Sequence, residues 1–203
     1  MKRIQLIISA LYLTGVVFLY GCGDKLEGTF YLSPEAKKYM IDTTVTSFKM
    51  VDNNGITEEF FVDGSVWYTT HHYFDEWGVD GKASGETYAI AYNSSLNNFF
   101  FTFVLRAGID YSELEMEWNR KDMVLYNFKT KTVVQEPKPK IGFFDTLTVK
   151  GIEYKNIIEL DYSNVNGTDD NTPLKTFISG EKGLIKIELK NNITLERIAE
   201  NTQ

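Results

Sequence analysis

Residues 48–62 read Phe-Lys-Met-Val-Asp-Asn-Asn-Gly-Ile-Thr-Glu-Glu-Phe-Phe-Val, and this stretch decides the fold class. Phe48 and Met50 alternate with polar neighbours, which is the period of a β-strand. Asn54-Gly55 then supplies a turn, because both residues tolerate a positive φ, and Ile56 to Val62 returns as a second strand. The stretch therefore predicts a β-hairpin.

Further strands follow at short spacing along the rest of the chain. In one of them, apolar residues occupy the even-numbered positions Ile152, Tyr154, Ile158 and Leu160, and Glu153, Lys155 and Glu159 occupy odd-numbered positions. This alternation is typical of a sheet with one solvent-exposed face. Ile185, Ile187 and Leu189 repeat this pattern. The predicted strands are Val66–Phe74, Tyr88–Tyr92, Phe99–Leu105, Met123–Phe128, Gly142–Val149, Ile152–Leu160, Lys175–Ile178, Leu184–Leu189 and Ile193–Ile198.

Two segments refine this prediction. The run Phe99–Leu105 is apolar without alternation, so we expect a central strand buried on both faces. Ser33-Pro34-Glu35 offers an N-cap, a proline and an acid in the first turn, which predicts one short helix through Met40. The sequence thus predicts an all-β fold, an antiparallel sandwich or partly open barrel behind one short N-terminal helix.

Composition excludes several classes of protein. The 203 residues contain 21 Lys and Arg against 28 Asp and Glu, a net charge of -7, and one cysteine. A single cysteine excludes an internal disulfide framework and a cysteine-based zinc site. The acidic balance argues against nucleic acid as a partner. We expect no cofactor.

The amino terminus has the pattern of a secretory signal. Met1-Lys2-Arg3 is basic, Ile4–Tyr20 is almost entirely apolar, and Gly21 is small. A stretch of seventeen residues is also close to the lower limit for crossing a bilayer, so an uncleaved anchor is the alternative.

The only cysteine follows directly, and Leu19-Tyr20-Gly21-Cys22 resembles the bacterial lipobox, although Tyr20 departs from the small residues favoured there. The resemblance implies cleavage before Cys22 and acylation of that residue. The alternative is cleavage elsewhere, with Cys22 incidental. The predicted organisation is a signal peptide over 1–21, a lipidated tether over 22–32 and one β-rich domain over 33–203.

Several motifs together are similar to those of lipoproteins of Bacteroidetes. The resemblance implies an envelope lipoprotein of undefined activity that is anchored at the outer membrane, with the periplasmic or surface orientation left open. The motifs are the helix segment Ser33–Met40, the hairpin Phe48–Val62, the segment Ile152–Asn156 and the segment Phe177–Lys186.

Candidate metal sites are weak in this sequence. His71 and His72 are adjacent, so in a strand they point to opposite faces and cannot share one metal without a bulge. His72 with Asp75 and Glu76 forms a site only if the chain turns there. Asp161, Asp169 and Asp170 lie in a polar loop that fails the EF-hand spacing, and a solvated loop is the simpler interpretation.

Paired carboxylates and tryptophans suggest a hydrolase as the alternative function. Glu58-Glu59, Asp75-Glu76 and the run Glu113, Glu115, Glu117 supply acids, but the sequence does not give the separation a glycosidase needs. Trp67, Trp77 and Trp118 would form a sugar-stacking platform if exposed, whereas we favour a place in the core.

Two threonines match the O-glycosylation pattern of Bacteroidetes, Asp followed by Thr and then an aliphatic residue or Thr. They are Thr43, in Asp42-Thr43-Thr44, and Thr146, in Asp145-Thr146-Leu147. The leading hypothesis is a non-enzymatic binding or accessory module whose partner is a glycan, a lipid or an envelope protein. A lipid carrier with an internal cavity is a further alternative.

Overall fold

The computed structural model describes residues 28–74, 80–96, 99–108, 111–118, 122–134, 139–163 and 173–199. Of residues 65–74, 80–83, 122 and 123 it describes the strand backbone alone. The chain divides into two compact units, Met1–Thr29 with Thr69–Ser84, and Phe30–Tyr68 with Gly85–Gln203. The first is described only through β-strand segments, and all that follows on packing concerns the second.

Thirteen antiparallel strands and one short helix form the described chain, which confirms the predicted all-β class. The helix α1, Pro34–Lys37, is shorter than predicted and is capped by the Ser33 hydroxyl, which accepts from the Ala36 N–H at 3.2 Å. The strands are β1 Gly28–Phe30, β2 Ser47–Asp52, β3 Thr57–Phe74, β4 Asp80–Ser94, β5 Phe100–Ala107, β6 Ser112–Trp118, β7 Asp122–Asn127, β8 Thr132–Val133, β9 Lys140–Val149, β10 Ile152–Asp161, β11 Pro173–Ser179, β12 Gly183–Leu189 and β13 Thr194–Arg197.

The strands join in one sheet in the order β8-β7-β6-β5-β4-β3-β2-β13-β12-β11-β10-β9, with β1 paired to β4. Within the second unit this sheet is nearly closed into a barrel. Its two ends approach through aromatic rings, since the Phe143 ring of β9 lies 5.1 Å from Tyr126 of β7 and 5.6 Å from Tyr39. The partly open barrel is therefore the correct one of the two predicted architectures.

The predicted hairpin forms, with a three-residue loop. Asp52 and Ile56 close the loop through an N–H to carbonyl bond of 2.9 Å, and Gly55 adopts a φ of 85°. The Asp52 carboxylate accepts from the Asn54 and Ile56 N–H groups at 2.9 and 2.7 Å. The side chain of Asp52 therefore fixes the turn that the Asn-Gly pair predicted.

The apolar run of β5 is only partly buried on its second face. Phe101, Phe103 and Leu105 lie in the core, as predicted, but on the other face Val104 is buried while Phe100 and Thr102 are half-exposed. The strand is central in the sheet order, but the prediction that both of its faces are buried is wrong for most of its length. The reason is that the outward face of β5 and β6 carries half-exposed charged side chains, Arg106 and Glu115 among them.

The residues of β10 that were predicted to share one face of the sheet also do not all do so. Ile158 and Leu160 belong to the main core, whereas Tyr154 packs in a second cluster with Ile157. Asn156 lies between them with a φ of 51°, and this left-handed residue changes the face that the following side chains occupy. β12 shows the same effect, because a register irregularity opposite Phe177 and Ile178 places Ile185 in the second cluster and Ile187 in the core.

Candidate functional site

The hairpin of β9 and β10 forms one wall of a small pocket. Its two-residue turn, Lys150-Gly151, has positive φ at both positions, 50° and 78°. Between Asn156 and the turn, side chains of the hairpin contact the neighbouring strands. Tyr154 and Val149 pack with Ile185 of β12, and the Lys150 ammonium lies 3.3 Å from the Glu196 carboxylate of β13. The hairpin end therefore lies against β12 and β13.

A pocket of about 240 Å³ opens between this hairpin end and the end of β13. Its walls are mostly apolar, with two cationic side chains among them. The lining residues are Ile152, Tyr154, Lys182, Arg197, Ile198 and Ala199.

Arg197 is the buried cation of this wall, with only 2% of its surface exposed. Its guanidinium donates to the backbone carbonyl of Lys182, and its Cζ lies 4.1 Å from the centre of the Phe48 ring. Phe48 in turn stacks on Phe60 at 5.4 Å. A fixed guanidinium over an aromatic face is a favourable arrangement, so the positive charge is held in one place.

Two basic residues line the pocket in an acidic protein. Among the described residues its lining contains Lys182 and Arg197 and no carboxylate, whereas the chain as a whole has a net charge of -7. The nearby Glu196 is paired with Lys150. The pKa of Asp42 is lowered, mainly because the Thr44 hydroxyl and N–H donate to its carboxylate. The positive charge of Lys182 lowers it further. The Arg197 guanidinium is engaged by the Lys182 carbonyl and the Phe48 ring, so Lys182 is the exposed cation of the described lining.

The predicted site residues fall in three groups. The first group lies outside the described residues and consists of Cys22, Asp75, Glu76, Trp77, Asp169 and Asp170. The second group lies in a part of β3 where only the backbone is described and consists of His71, His72 and Trp67. Thr43 and Thr146 are both exposed. Thr146 points away from the second cluster, in which its neighbour Leu147 and Val149 take part, as the sequence predicted.

Of the carboxylate pairs that the sequence suggested, those on β3 and β6 are described. Glu58 is buried at 1% exposure and accepts from the Leu96 N–H, while Glu59 is half-buried on the other face of β3. Glu113, Glu115 and Glu117 share one face of β6, where Glu115 forms a salt bridge with Arg106. Asp161 forms an ion pair with Lys175 at 3.5 Å. Glu58 and Glu59 therefore lie on different faces of their strand, whereas the three glutamates of β6 share one face.

The aromatic surplus fills the core of the described chain. Trp118 is 1% exposed and donates its indole N–H to the Thr176 hydroxyl at 3.2 Å, which links β6 to β11 across the interior. The rings of Phe101 and Trp118 lie 4.9 Å apart, and those of Tyr92 and Phe101 lie 5.9 Å apart. Trp118 is thus a core residue, as we favoured.

Sequence reasoning missed Lys182 and Arg197. A signal for Arg197 existed, because it shares the parity of Leu195, whose side chain is buried in the core, and an arginine on the apolar parity of a strand needs a partner. Lys182 gave no such signal, since it lies in the turn between β11 and β12.

Among the described residues no group of three or more His, Cys, Asp and Glu side chains is placed to hold a metal ion. In the same part of the chain, no helix has the length and apolar character needed to cross a membrane. Comparison with known proteins yields no match to this chain among family models, curated proteins or solved structures.

Proposed function

We propose that this chain is a lipoprotein of a bacterial cell envelope, anchored through acylated Cys22, and that its β-domain is a non-enzymatic binding module. The observation that carries the proposal is the position of the only cysteine, directly after Gly21 at the end of a basic and then apolar amino terminus. The resemblance of Leu19-Tyr20-Gly21-Cys22 to the lipobox supports acylation, and the resemblance to Bacteroidetes lipoproteins favours the outer membrane.

Lipid rather than charge would hold the protein at the membrane. Removal of residues 1–21 takes away Lys2 and Arg3, so that 19 basic and 28 acidic residues remain, a charge of -9 in 182 residues. Such a chain is repelled by anionic lipid. Each buried CH₂ contributes about 0.8 kcal/mol, and two or more acyl chains are enough for stable anchoring.

The tether to the first described strand is short. Five residues separate Cys22 from Gly28, the first residue of β1, and a fully extended chain spans at most about 3.6 Å per residue. The start of β1 therefore lies within roughly 20 Å of the acylated residue.

The binding role is supported by the mostly apolar pocket between the β9–β10 hairpin end and the end of β13, with Lys182 exposed in its lining. Trp118, a candidate for sugar stacking in the hydrolase alternative, is buried in the core, and the candidate acids Asp75 and Glu76 lie outside the described residues.

The anchor is tested by expressing Cys22→Ala in a bacterium that processes lipoproteins. We expect the unchanged chain to take up an alkynyl fatty acid label and to enter the detergent phase on Triton X-114 separation. Cys22→Ala removes the only thiol and should lose both properties. Labelling of Cys22→Ala at the level of the unchanged chain would contradict the proposal.

Tyr20→Ala is the matched control for this experiment. It alters a neighbouring residue toward the small side chains that the lipobox favours, so we expect labelling to be kept or increased. A loss of labelling in both variants would mean that the region, rather than the thiol, is being perturbed.

We also propose O-glycosylation of Thr43 and Thr146, which is supported by their exposure and by their sequence pattern. Peptide mass spectrometry of protein from a Bacteroidetes host should find added sugar mass on both threonines, and Thr146→Val should lose one increment. Unmodified peptides at full coverage would refute this part of the proposal.

A further inference from the structure

We propose that residues 38–43 form a latch that closes the seam of the barrel and that opens as one piece while the sheet stays folded. The seam is the gap between the two ends of the sheet, β8 and β9, which do not pair with each other in the described part of the chain. The latch directly follows helix α1. This inference concerns the β-domain alone and is independent of the acylation of Cys22.

Tyr39 is the side chain of the latch that spans the seam. Its ring stacks on Phe128, which follows β7, at 6.0 Å, and it lies 5.6 Å from the ring of Phe143 in β9. Only 9% of Tyr39 is exposed, so the ring is largely withdrawn from water. Among the described strands, the two ends of the sheet therefore meet through aromatic rings rather than through backbone hydrogen bonds.

Two glycines beside the turn between β11 and β12 make room for the latch. A Cβ atom at Gly180 would overlap the carbonyl oxygen of Lys38 and would lie 3.0 Å from Asn156 Cβ. A Cβ atom at Gly183 would lie 3.1 Å from Ile41 Cγ2. The latch therefore lies in a groove that is open only because these two positions carry no side chain.

The backbone of the latch is held to the sheet by isolated hydrogen bonds. The Asp42 N–H donates to the Glu181 carbonyl at 3.4 Å, and the Tyr88 hydroxyl donates to the Ile41 carbonyl. Neither bond belongs to a strand ladder, whereas β5 is paired to both β4 and β6. A segment with few backbone bonds opens at a lower free energy than a central strand. We therefore expect the latch to open before the sheet does.

Opening of the latch would uncover an aromatic surface at the seam. The ring of Tyr126 lies 5.3 Å from Phe128 and 5.1 Å from Phe143, and both of these phenylalanines contact Tyr39. Phe143 is 37% exposed even with the latch in place. Removal of the Tyr39 ring would expose these three rings further without breaking any pair of strands.

The test is hydrogen–deuterium exchange of the full chain in mild detergent, measured by mass spectrometry of peptides. We expect peptides from the latch to exchange at least tenfold faster than peptides from β5, and at least tenfold more slowly than an unprotected peptide. Urea below the unfolding midpoint should accelerate exchange in β5 and leave exchange in the latch unchanged, because local opening exposes little surface.

Gly180→Ala is the variant that should loosen the latch. Gly180 does not have a positive φ, so the added methyl group acts through its overlap with the Lys38 carbonyl. We expect exchange in the latch to rise at least tenfold, exchange in β5 to stay within twofold, and the fluorescence of ANS, a dye that binds exposed apolar surface, to rise at least twofold. Gly151→Ala is the matched control, because a Cβ atom there meets nothing within 4 Å, and it should change neither the exchange of the latch nor the dye signal.

Tyr88→Phe is the second variant, and it decides the question if Gly180→Ala does not fold. It removes the hydroxyl group that donates to the Ile41 carbonyl and adds no atom. We expect exchange in the latch to rise at least threefold, with exchange in β5 again within twofold.

Exchange of the latch at the rate and urea dependence of β5 would overturn the inference, because the latch would then open only with the sheet. Unprotected exchange of the latch, unchanged exchange in both variants, or equal acceleration of the latch and β5 would also overturn it. Faster exchange in Gly180→Ala without a rise in dye fluorescence would refute the closing role. None of these results affects the fatty-acid labelling of Cys22, so failure of the latch and failure of the anchor are distinguishable.

Discussion

Gly183 at the start of β12 lies against the buried side chain of Tyr92, and a methyl group there should destabilise the protein strongly. A Cβ atom at this position would overlap the Tyr92 hydroxyl oxygen and lie 3.0 Å from Tyr92 Cζ and 3.1 Å from Ile41 Cγ2. Gly183 also has a φ of 74°, which a side chain disfavours. We therefore expect Gly183→Ala to combine a backbone cost with a packing cost.

The two costs can be separated with a matched glycine. Gly151 has a φ of 78°, and a Cβ there meets nothing within 4 Å. Gly151→Ala should thus lower the free energy of unfolding by about 1 to 2 kcal/mol, the cost of a left-handed L-residue. Overpacking adds about 1 to 3 kcal/mol in a core, so Gly183→Ala should cost roughly 2 to 5 kcal/mol.

Removal of the Tyr92 hydroxyl should relieve the packing cost. We expect Gly183→Ala to be less harmful in a Tyr92→Phe background, with a coupling of about 1 to 2 kcal/mol, because contacting residues couple in this range. The assay is urea unfolding of the full chain in mild detergent, followed by tryptophan fluorescence and compared at constant m-value.

If Gly183→Ala alone does not fold, recovery of folding in the double variant supports the same conclusion. A coupling below about 0.5 kcal/mol, together with a cost for Gly183→Ala no larger than for Gly151→Ala, would refute the described packing of Tyr92 against β12.

Three further predictions follow from the same structure. Asp52→Ala should lower the free energy of unfolding by about 1 to 2 kcal/mol in urea titration, because two turn N–H groups lose their acceptor. Asp52→Asn keeps an acceptor oxygen, so its free energy of unfolding should stay close to that of the unchanged chain. A cost of Asp52→Asn equal to that of the alanine variant would contradict this role. Burial raises the pKa of Tyr39 to about 12, and it also raises the pKa of Tyr88 and Tyr92. A raised pKa favours the neutral form in the folded state, so stability is full below about pH 10, where unfolded tyrosine ionises, and is lost above it. Absorbance at 295 nm should show these tyrosines ionising only together with unfolding, and their ionisation in the folded protein near pH 10 would count against the buried core. Burial acts to raise the pKa of Asp161, but hydrogen bonds from Ser163 and the charge of Lys175 outweigh it, so the pKa is lowered. This contribution is present above about pH 4 and is lost as pH falls through the lowered pKa, so Asp161→Asn should show a flatter loss of stability in acid than the unchanged chain.

The strands with strong local signals could be predicted from the sequence. The hairpin around Gly55 has an Asn-Gly pair and an alternating first strand, and both are local properties of the chain. The strand β6 was missed although Ser112–Trp118 alternates strictly, because its outward positions are glutamates, which are depleted in strands. Its inward residues pack on β5 and β7, and this tertiary contact outweighs the weak propensity of glutamate.

Two local irregularities account for the remaining errors in the fold. Asn156 and the register shift near Ile185 change the face of a strand, and the trace of this in the sequence is a pair of adjacent apolar residues at each point, Ile157-Ile158 and Leu184-Ile185. A period of two assumes regular extended backbone, so a left-handed residue or a bulge invalidates it from that point onward.

The candidate pocket could not be predicted because its parts are distant in sequence. Ile152, Lys182 and Arg197 come together only when the β9–β10 hairpin lies against β13. The anchor is the opposite case. It depends on contiguous residues around Cys22, so the sequence alone supports it.

The most direct test of the proposed anchor is the mass of the amino-terminal peptide of the mature protein. Membranes from a host that processes lipoproteins are extracted with detergent, and the protein is digested and analysed by mass spectrometry. Our account predicts a peptide that begins at Cys22 and carries diacylglycerol on its thiol. A mature amino terminus at another residue, or an unmodified Cys22 thiol, would contradict it.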